Sequence, residues 1–203
     1  MPLDAGSIRA RLPGREIVWL DTTASTMTEA ACLAAAGCRP GAAVVAEEQT
    51  AGQGRHGRSW HSERETGLYV SIVLRPRLEP DSLPVLTLAL GLAVQEAIAS
   101  ATDISCNLRW PNDVLAGGKK CAGVLCQTAD SAVIAGIGIN VNQLAFPPEL
   151  SALATSLRMV SGRPHSREDL LVELALSVDN YSKLLVEQGA DHVLRVYAER
   201  ARR

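Results

Sequence analysis

Aromatic residues are scarce in this chain: three tryptophans, three tyrosines and one phenylalanine, 3% of 203 residues. That scarcity removes the stacking platforms on which single-stranded nucleic acid is held. An excess of one charge is missing too. Twenty basic residues face 22 acidic ones, a net charge of −2. Nothing in that balance marks a nucleic-acid partner, although a local basic patch can still form. The five cysteines, Cys32, Cys38, Cys106, Cys121 and Cys126, are odd in number and lack metal-ligand spacing. Cys106, Cys121 and Cys126 sit in apolar runs and read as small buried hydrophobes. Met1-Pro2-Leu3-Asp4 lacks the charged-then-apolar pattern of a signal peptide. The longest apolar segment, Leu83 to Ile98, is broken by Gln95 and Glu96 and falls short of a membrane span. These absences point to a soluble cytoplasmic protein with neither a membrane nor a nucleic acid as its partner.

What the chain does have is a glycine-arginine loop. Gly52, Gly54 and Gly57 alternate with Arg55 and Arg58 just after an apolar run ending at Ala46. Glycine lets backbone approach a ligand closely, and arginine offers a planar charged fork for phosphate or carboxylate. The literal spacing Gly52-x-Gly54-x-x-Gly57 matches the dinucleotide-binding fingerprint, but that fingerprint must open a helix. Here Arg58 to Gly67 carry no 3.6-residue apolar period, and Leu68 to Leu74 read as another strand. The phosphate-loop pattern G-x-x-x-x-G-K-[ST] is absent as well. A solvated surface loop remains the plain alternative for this segment taken alone.

The hydrophobic share of 47% supports one compact domain, burying roughly 70% of the surface its unfolded chain exposes. Strands are expected at 17–20, 42–47, 67–74, 105–110, 121–127 and 132–139. Thr26 with Glu29 has capping-box spacing before an alanine-rich helix that Gly37 ends. Ser82 is placed to cap a buried helix over 83–100, and Ser166 with Asp169 to open one over 167–187. Gly189 then separates a shorter helix with the charged tail Glu199 to Arg203. Segment 145–165 reads as loop. Together these predict an α+β fold, a mixed β-sheet with helices packed mainly on one face.

Two further polar groups stand out. Arg109-Trp110-Pro111-Asn112-Asp113 ends a strand in a proline turn, and Lys119-Lys120 follows the hairpin-like Gly117-Gly118. Taken singly, each is at least as well explained as a plain turn or a solvated hairpin tip. Gly136-Ile137-Gly138-Ile139-Asn140-Val141-Asn142 sets glycines inside an apolar strand, where they often mark close approach of a ligand. Asn140 and Asn142 share one face by the period of two.

In order, Ser25-Thr26, Glu47-x-Gln49-Thr50-Ala51-Gly52-x-Gly54-Arg55-x-Gly57-Arg58-x-Trp60, Trp110-Pro111-Asn112-Asp113, Lys120-x-Ala122-Gly123-Val124-Leu125 and Gly136 to Asn142 resemble the motifs of biotin protein ligases. The resemblance runs from about residue 16 to 200, and Ala154-Thr155-Ser156-Leu157 shares in it. It implies the class II aminoacyl-tRNA synthetase-like catalytic fold of biotin and lipoate ligases. It also implies two half-reactions, biotin with Mg·ATP giving biotinyl-5′-AMP, then transfer to a lysine of the biotin carboxyl carrier protein of acetyl-CoA carboxylase. Family roles carried onto this chain put Ser25, Thr26, Gln49, Gly52, Gly123, Gly136 and Gly138 around biotin. Arg55, Arg58 and Lys120 are the catalytic cations, with Arg55 and Lys120 also touching biotin. Arg58, Trp60, Trp110, Asn112, Asp113 and Asn140 fall to the nucleotide, with Asp113 as the candidate Mg²⁺ ligand.

Three residues depart from the family habit. Gln53 stands where arginine is common, Met27 follows Ser25-Thr26 where asparagine is common, and Arg109 stands where lysine is common. The resemblance implies one catalytic domain over 1–203, with no N-terminal winged helix-turn-helix and no C-terminal SH3-like domain. Operon repression is correspondingly disfavoured, and a homodimer is compatible. Two rivals stay open, a lipoate or octanoate transferase and a non-catalytic biotin or nucleotide sensor.

Overall fold

The structure, a computed structural model, describes residues 2–78 and 82–201. Arg202 and Arg203 of the expected charged tail lie outside them. The six expected strands and one that was not expected form a seven-stranded mixed sheet in the order β1-β2-β3-β7-β6-β5-β4. β1 (Ile17–Thr23) and β2 (Ala43–Gln49) are parallel, and the chain crosses between them through α2 (Thr26–Ala35), as a parallel pair requires. β3 (Gly67–Leu74), β7 (Ala132–Asn140), β6 (Lys119–Ala129), β5 (Asp113–Ala116) and β4 (Asn107–Arg109) continue it antiparallel.

Alternation along the central strands divides the core in two. Val45, Val70, Ile72 and Ile137 face α1 (Ala5–Arg11), α3 (Leu83–Thr102), α6 (Arg167–Gln188) and α7 (Ala190–Ala201). Val44, Val73 and Ile134 face α2 alone on the other side. Helices thus cover mainly one face, as expected, and the thinly covered face carries the site. By length and hydropathy α3 is apolar enough to cross a membrane, yet it lies in the core. The two polar residues that interrupt it are anchored. Gln95 Nε2 donates to the Cys106 carbonyl (2.7 Å), and Glu96 accepts from Tyr181 (2.7 Å) and Arg200 (3.2 Å).

Several local expectations need correction. α2 is capped one residue earlier than the spacing of Thr26 and Glu29 implies: Ser25 Oγ accepts from the Met27 N–H (3.3 Å), while Glu29 accepts from Thr23 (2.9 Å). Ser82 precedes α3 but makes no side-chain cap bond, whereas Ser166 does cap α6, accepting from the Asp169 N–H (3.0 Å). The turn at Trp110–Asn112 joins β4 to a further strand, β5, and the Trp110–Pro111 peptide is cis. Segment 145–165 contains two short helices, α4 (Pro148–Ser151) and α5 (Leu157–Ser161). α1 was also unexpected. Its low-propensity Gly6 and Ser7 disguise it, but Asp4 accepts from both their N–H groups and Ile8 is fully buried.

Candidate active site

Register alone lays out the site. On β7, Gly136 lies beside Ser71 of β3 and Gly138 lies beside Gly123 of β6, both glycines facing the α2 side. Two residues along a strand span about 7 Å. Beside Gly136 the site is polar and uncharged. The Thr26 N–H and Oγ1 both donate to Gln49 Oε1 (2.8 and 3.1 Å), Thr26 and Ser71 share a hydrogen bond (2.8 Å), and Gln49 Nε2 donates to Ser62 (2.9 Å). Beside Gly123 and Gly138 the site becomes cationic. Lys120 Nζ lies 2.7 Å from Asp113 Oδ1 and 5.1 Å from the centre of the Trp60 ring.

Lys120 is held by its backbone from both flanks. The β5–β6 register shifts between Val114 and Leu115, opposite Lys120, and such a shift re-aims nearby side chains. On the other flank Lys120 donates to the Leu153 carbonyl and its own carbonyl accepts from Thr155, both at 2.9 Å. The Ala154-Thr155-Ser156-Leu157 segment is therefore a strap on Lys120. Asn140 ties the same strap, donating to the Thr155 carbonyl (3.0 Å). Asn142, its expected partner in the site, instead brackets His165 (2.9 Å each way) and fixes the approach to α6.

The glycine loop folds back on itself as a small flap. Gly54 donates to the Arg58 carbonyl (2.7 Å) and Trp60 to the Gly52 carbonyl (2.8 Å), around a 3₁₀ turn over Arg55–Gly57. A Cβ at Gly52 would come within 2.7 Å of the Trp60 carbonyl, so glycine there is needed for the flap's own closure. Trp60 lies flat on the floor: a Cβ at Gly138 would overlap its indole, whose Nε1–H is buried without a partner. Arg55 donates to Asn112 Oδ1 (3.1 Å), and neither Arg55 nor Arg58 has an acidic partner among the described residues.

Two connected cavities result. The inner one, over the glycine floor, is lined by Thr26, Gln49, Lys120, Gly123, Gly136 and Gly138. It is only about 40 Å³, room for a few waters, because Trp60 and Met27 occupy the floor. The outer cavity, about 200 Å³, joins Arg58, Arg109, Asn112, Asp113, Lys120 and Asn140 to Phe146, Leu150 and Leu153. That apolar wall comes from the segment read as loop, and no sequence signal marked it. Arg55 borders both cavities.

Two expected site residues are placed differently. Trp110 is 73% exposed and lines neither cavity; it borders a neighbouring cleft against the start of α3, which shares Arg55 with both. Asn112 and Asp113, by contrast, line the outer cavity, and Asn112 the inner one as well. Ser25 is buried as the cap of α2 and borders neither cavity. Asp113 suits a metal poorly as it stands. Its Oδ1 holds Lys120 and its Oδ2 holds Arg109 (2.7 Å), and no group of three potential metal-binding side chains exists among the described residues. Burial pushes the Asp113 carboxyl up, but the hydrogen bonds from Lys120 and Arg109 outweigh it and hold it below its ordinary value.

Comparison with known proteins agrees with this layout. The model of the biotin/lipoate A/B protein ligase family matches residues 19–143. The bifunctional ligase/repressor BirA of Bacillus spizizenii is 38% identical over 176 residues, covering 83% of this chain and 54% of that protein. A protein of Mycobacterium tuberculosis named as a biotin–acetyl-CoA-carboxylase ligase is 40% identical over 166 residues, covering 77% and 62% respectively. The chain thus spans little more than half the length of these relatives. The biotin protein ligase of Aquifex aeolicus, solved in complex with biotin and ATP, superposes with a TM-score of 0.80 at 36% identity, covering 87% of this chain and 74% of that one. The cavity-lining residues from Thr26 to Asn140 fall inside the matched span, while the wall of Phe146, Leu150 and Leu153 lies just beyond it, and the chain belongs to the biotin/lipoate A/B protein ligase family.

Proposed function

We propose that this chain joins biotin to ATP as biotinyl-5′-AMP and passes the biotinyl group to a lysine of the biotin carboxyl carrier protein of acetyl-CoA carboxylase. The observation that carries the reading is the polarity gradient along β7, from the uncharged Thr26–Gln49–Ser71 cluster at Gly136 to the Lys120 cation at Gly138. A cyclic urea with a carboxylate at the far end fits that gradient. Lipoate offers no hydrogen-bonding head for Gln49 and Thr26, and this polar cluster favours biotin over it.

In the first step a biotin carboxylate oxygen bonds to the α-phosphorus of ATP, and the bond to pyrophosphate breaks. The protein contributes alignment and charge rather than covalent chemistry. Lys120 reaches both cavities and would bridge carboxylate and α-phosphate; Arg55 and Arg58, without carboxylate partners among the described residues, would meet the phosphates from the flap. Phe146, Leu150 and Leu153 offer the base an apolar wall. In the second step a lysine amine attacks the mixed anhydride, AMP leaves with the bridging oxygen, and the amine loses a proton. The flap excludes water between the steps.

Mg²⁺ enters this reading as part of the Mg·ATP substrate, since Asp113 already holds two cations and no step is routed through a resident metal. The reading treats the chain as one catalytic domain working in the cytoplasm on a protein acceptor, without nucleic acid. The test is pyrophosphate release from Mg·ATP with biotin, with lipoate, and with neither. Release with biotin alone is expected. Release only with lipoate supports a lipoate-activating enzyme, and none with either acid leaves a sensor or an octanoate transferase, which takes its acyl group from a thioester without ATP.

A further inference from the structure

Two glycines of the floor are covered from above, and the second cover is peculiar to α2. A Cβ built at Gly136 would overlap the Sδ of Met27 and crowd its Cγ at 3.0 Å, whereas the nearest atom outside Met27, the Leu125 carbonyl oxygen, stands 3.5 Å away. Met27 is therefore what a Cβ at Gly136 would collide with, the Leu125 oxygen being at ordinary contact distance. Met27 is 5% exposed and packs with Ala30, Val44 and Ile134, so its stem is fixed by the small core behind α2. Met27 also lines the inner cavity, at the uncharged end with Thr26 and Gln49. A methionine is unbranched and adaptable, and it fills irregular gaps without a hydrogen bond to satisfy.

We propose that Met27, seated against Gly136, sets the depth of the ring-binding end of the pocket and so selects the ring size of the acid that is activated. The proposal rests on the biotin reading above. Thr26 and Gln49 fix which polar atoms the head can present, and Met27 fixes how far the ring can advance toward β7. The pair is complementary in size: glycine makes the notch and the thioether fills it. Lys120 lies at the other end, so a change at Met27 alters which acid fits without touching the cation at the reacting carboxylate.

The experiment is a double-mutant cycle read with two kinds of substrate. Met27→Ala, Gly136→Ala and the double variant are assayed for pyrophosphate release with biotin and with biotins methylated singly at each ring position. One methyl group misplaced in an apolar pocket changes kcat/KM by about ten- to two-hundredfold. Gly136→Ala is expected to drive the Met27 tip into the cavity and raise KM for biotin at least about tenfold, with kcat little changed. Adding Met27→Ala gives the new methyl the space that Sδ held and restores KM. Met27→Ala alone raises the ratio of kcat/KM for at least one methylated biotin over biotin by about tenfold, and that ratio falls back in the double variant. Thermal melts report folding separately, and Met27→Leu, which keeps the volume, retains the parental ratios. A merely structural role would lower melting temperature and leave the ratios alone. Unchanged ratios across the series, or a double variant no better than Gly136→Ala, overturn the role of Met27. A parent protein that releases no pyrophosphate with biotin overturns the biotin reading instead.

Discussion

Lys120 and Asp113 meet across the β5–β6 hairpin at 2.7 Å, with the Trp60 ring beneath the ammonium. The lysine that would bridge carboxylate and phosphate is thus parked on a carboxylate that the anionic substrates must displace. Lys120→Ala should leave the fold intact, because the strap from Leu153 to Thr155 grips its backbone rather than its side chain. Losing one oriented charge in such a site slows the chemistry by about 10²–10³-fold. Pyrophosphate release by a variant with an unchanged circular dichroism spectrum checks this. Near-parental rates would take Lys120 out of the mechanism.

The same pair has a pH signature. A carboxyl held below its unfolded value stabilises the fold above that value, and the contribution is lost as pH falls through the folded one. Asp113 is held below 3.8, so its pairing persists across the whole neutral and mildly acid range and fails only in stronger acid. The gap in urea stability between the parent and Asp113→Asn should be flat from pH 7 to pH about 5 and close below pH about 4. A gap that closes near neutrality would contradict the assignment.

Arg55 should separate making the intermediate from keeping it. One charge-assisted contact is worth roughly 1.5–3 kcal/mol, enough to change residence time about ten- to a hundredfold. Arg55→Gly is expected to release pyrophosphate while leaking a mixed anhydride that labels bystander amines. Biotin blotting of added albumin reads the leak. Labelling no faster than with the parent would mean that Arg55 is not the latch.

Trp60 fills the floor that the acid's rings would need, and its indole N–H lacks a partner there. Substrate entry must therefore lift or slide the ring. In a background with Trp19 and Trp110 changed to phenylalanine, biotin should shift the remaining emission, and biotin with ATP should slow amide exchange across 51–60. An emission unchanged at saturating biotin would place the rings elsewhere.

Away from the site, Arg167 at the start of α6 donates to Glu47 at the end of β2 (2.7 Å), both largely buried, and Glu47 also accepts from the Leu3 N–H (2.6 Å). Removing one member leaves an uncompensated charge. Arg167→Ala should cost about 3–5 kcal/mol in chemical denaturation. A loss under about 1 kcal/mol would show that water reaches Glu47.

Much of this was readable in the residues. Glycine patterns carry conformational meaning locally, which is why Gly136 and Gly138 and the flap could be picked out before any fold was known, whereas Gly123 came only with the family resemblance. Strand and helix types followed from apolar runs for β3, β7 and α3, and from the Ser166–Asp169 spacing for α6. The failures are of another kind. The side to which Trp110 turns depends on the geometry of its turn, and the seating of Met27 depends on how α2 lies across β7. Neither is encoded within a few neighbouring positions. Phe146, Leu150 and Leu153 were invisible because short helices in a proline-rich segment leave no period to detect.

The order in which the elements of the core leave the ribosome matters for α3. This 20-residue apolar helix is complete by Thr102, yet the helices that cover it, α6 and α7, begin only at Arg167 and Ala190. During synthesis the chain therefore carries a greasy, membrane-length segment for more than sixty residues before its cover exists. A chain cut after Gln143 would retain the residues lining the glycine floor and still fail as a protein, by clumping or straying onto lipid. The last two helices line neither cavity, and their service is to cover the apolar helix on which the site's sheet rests.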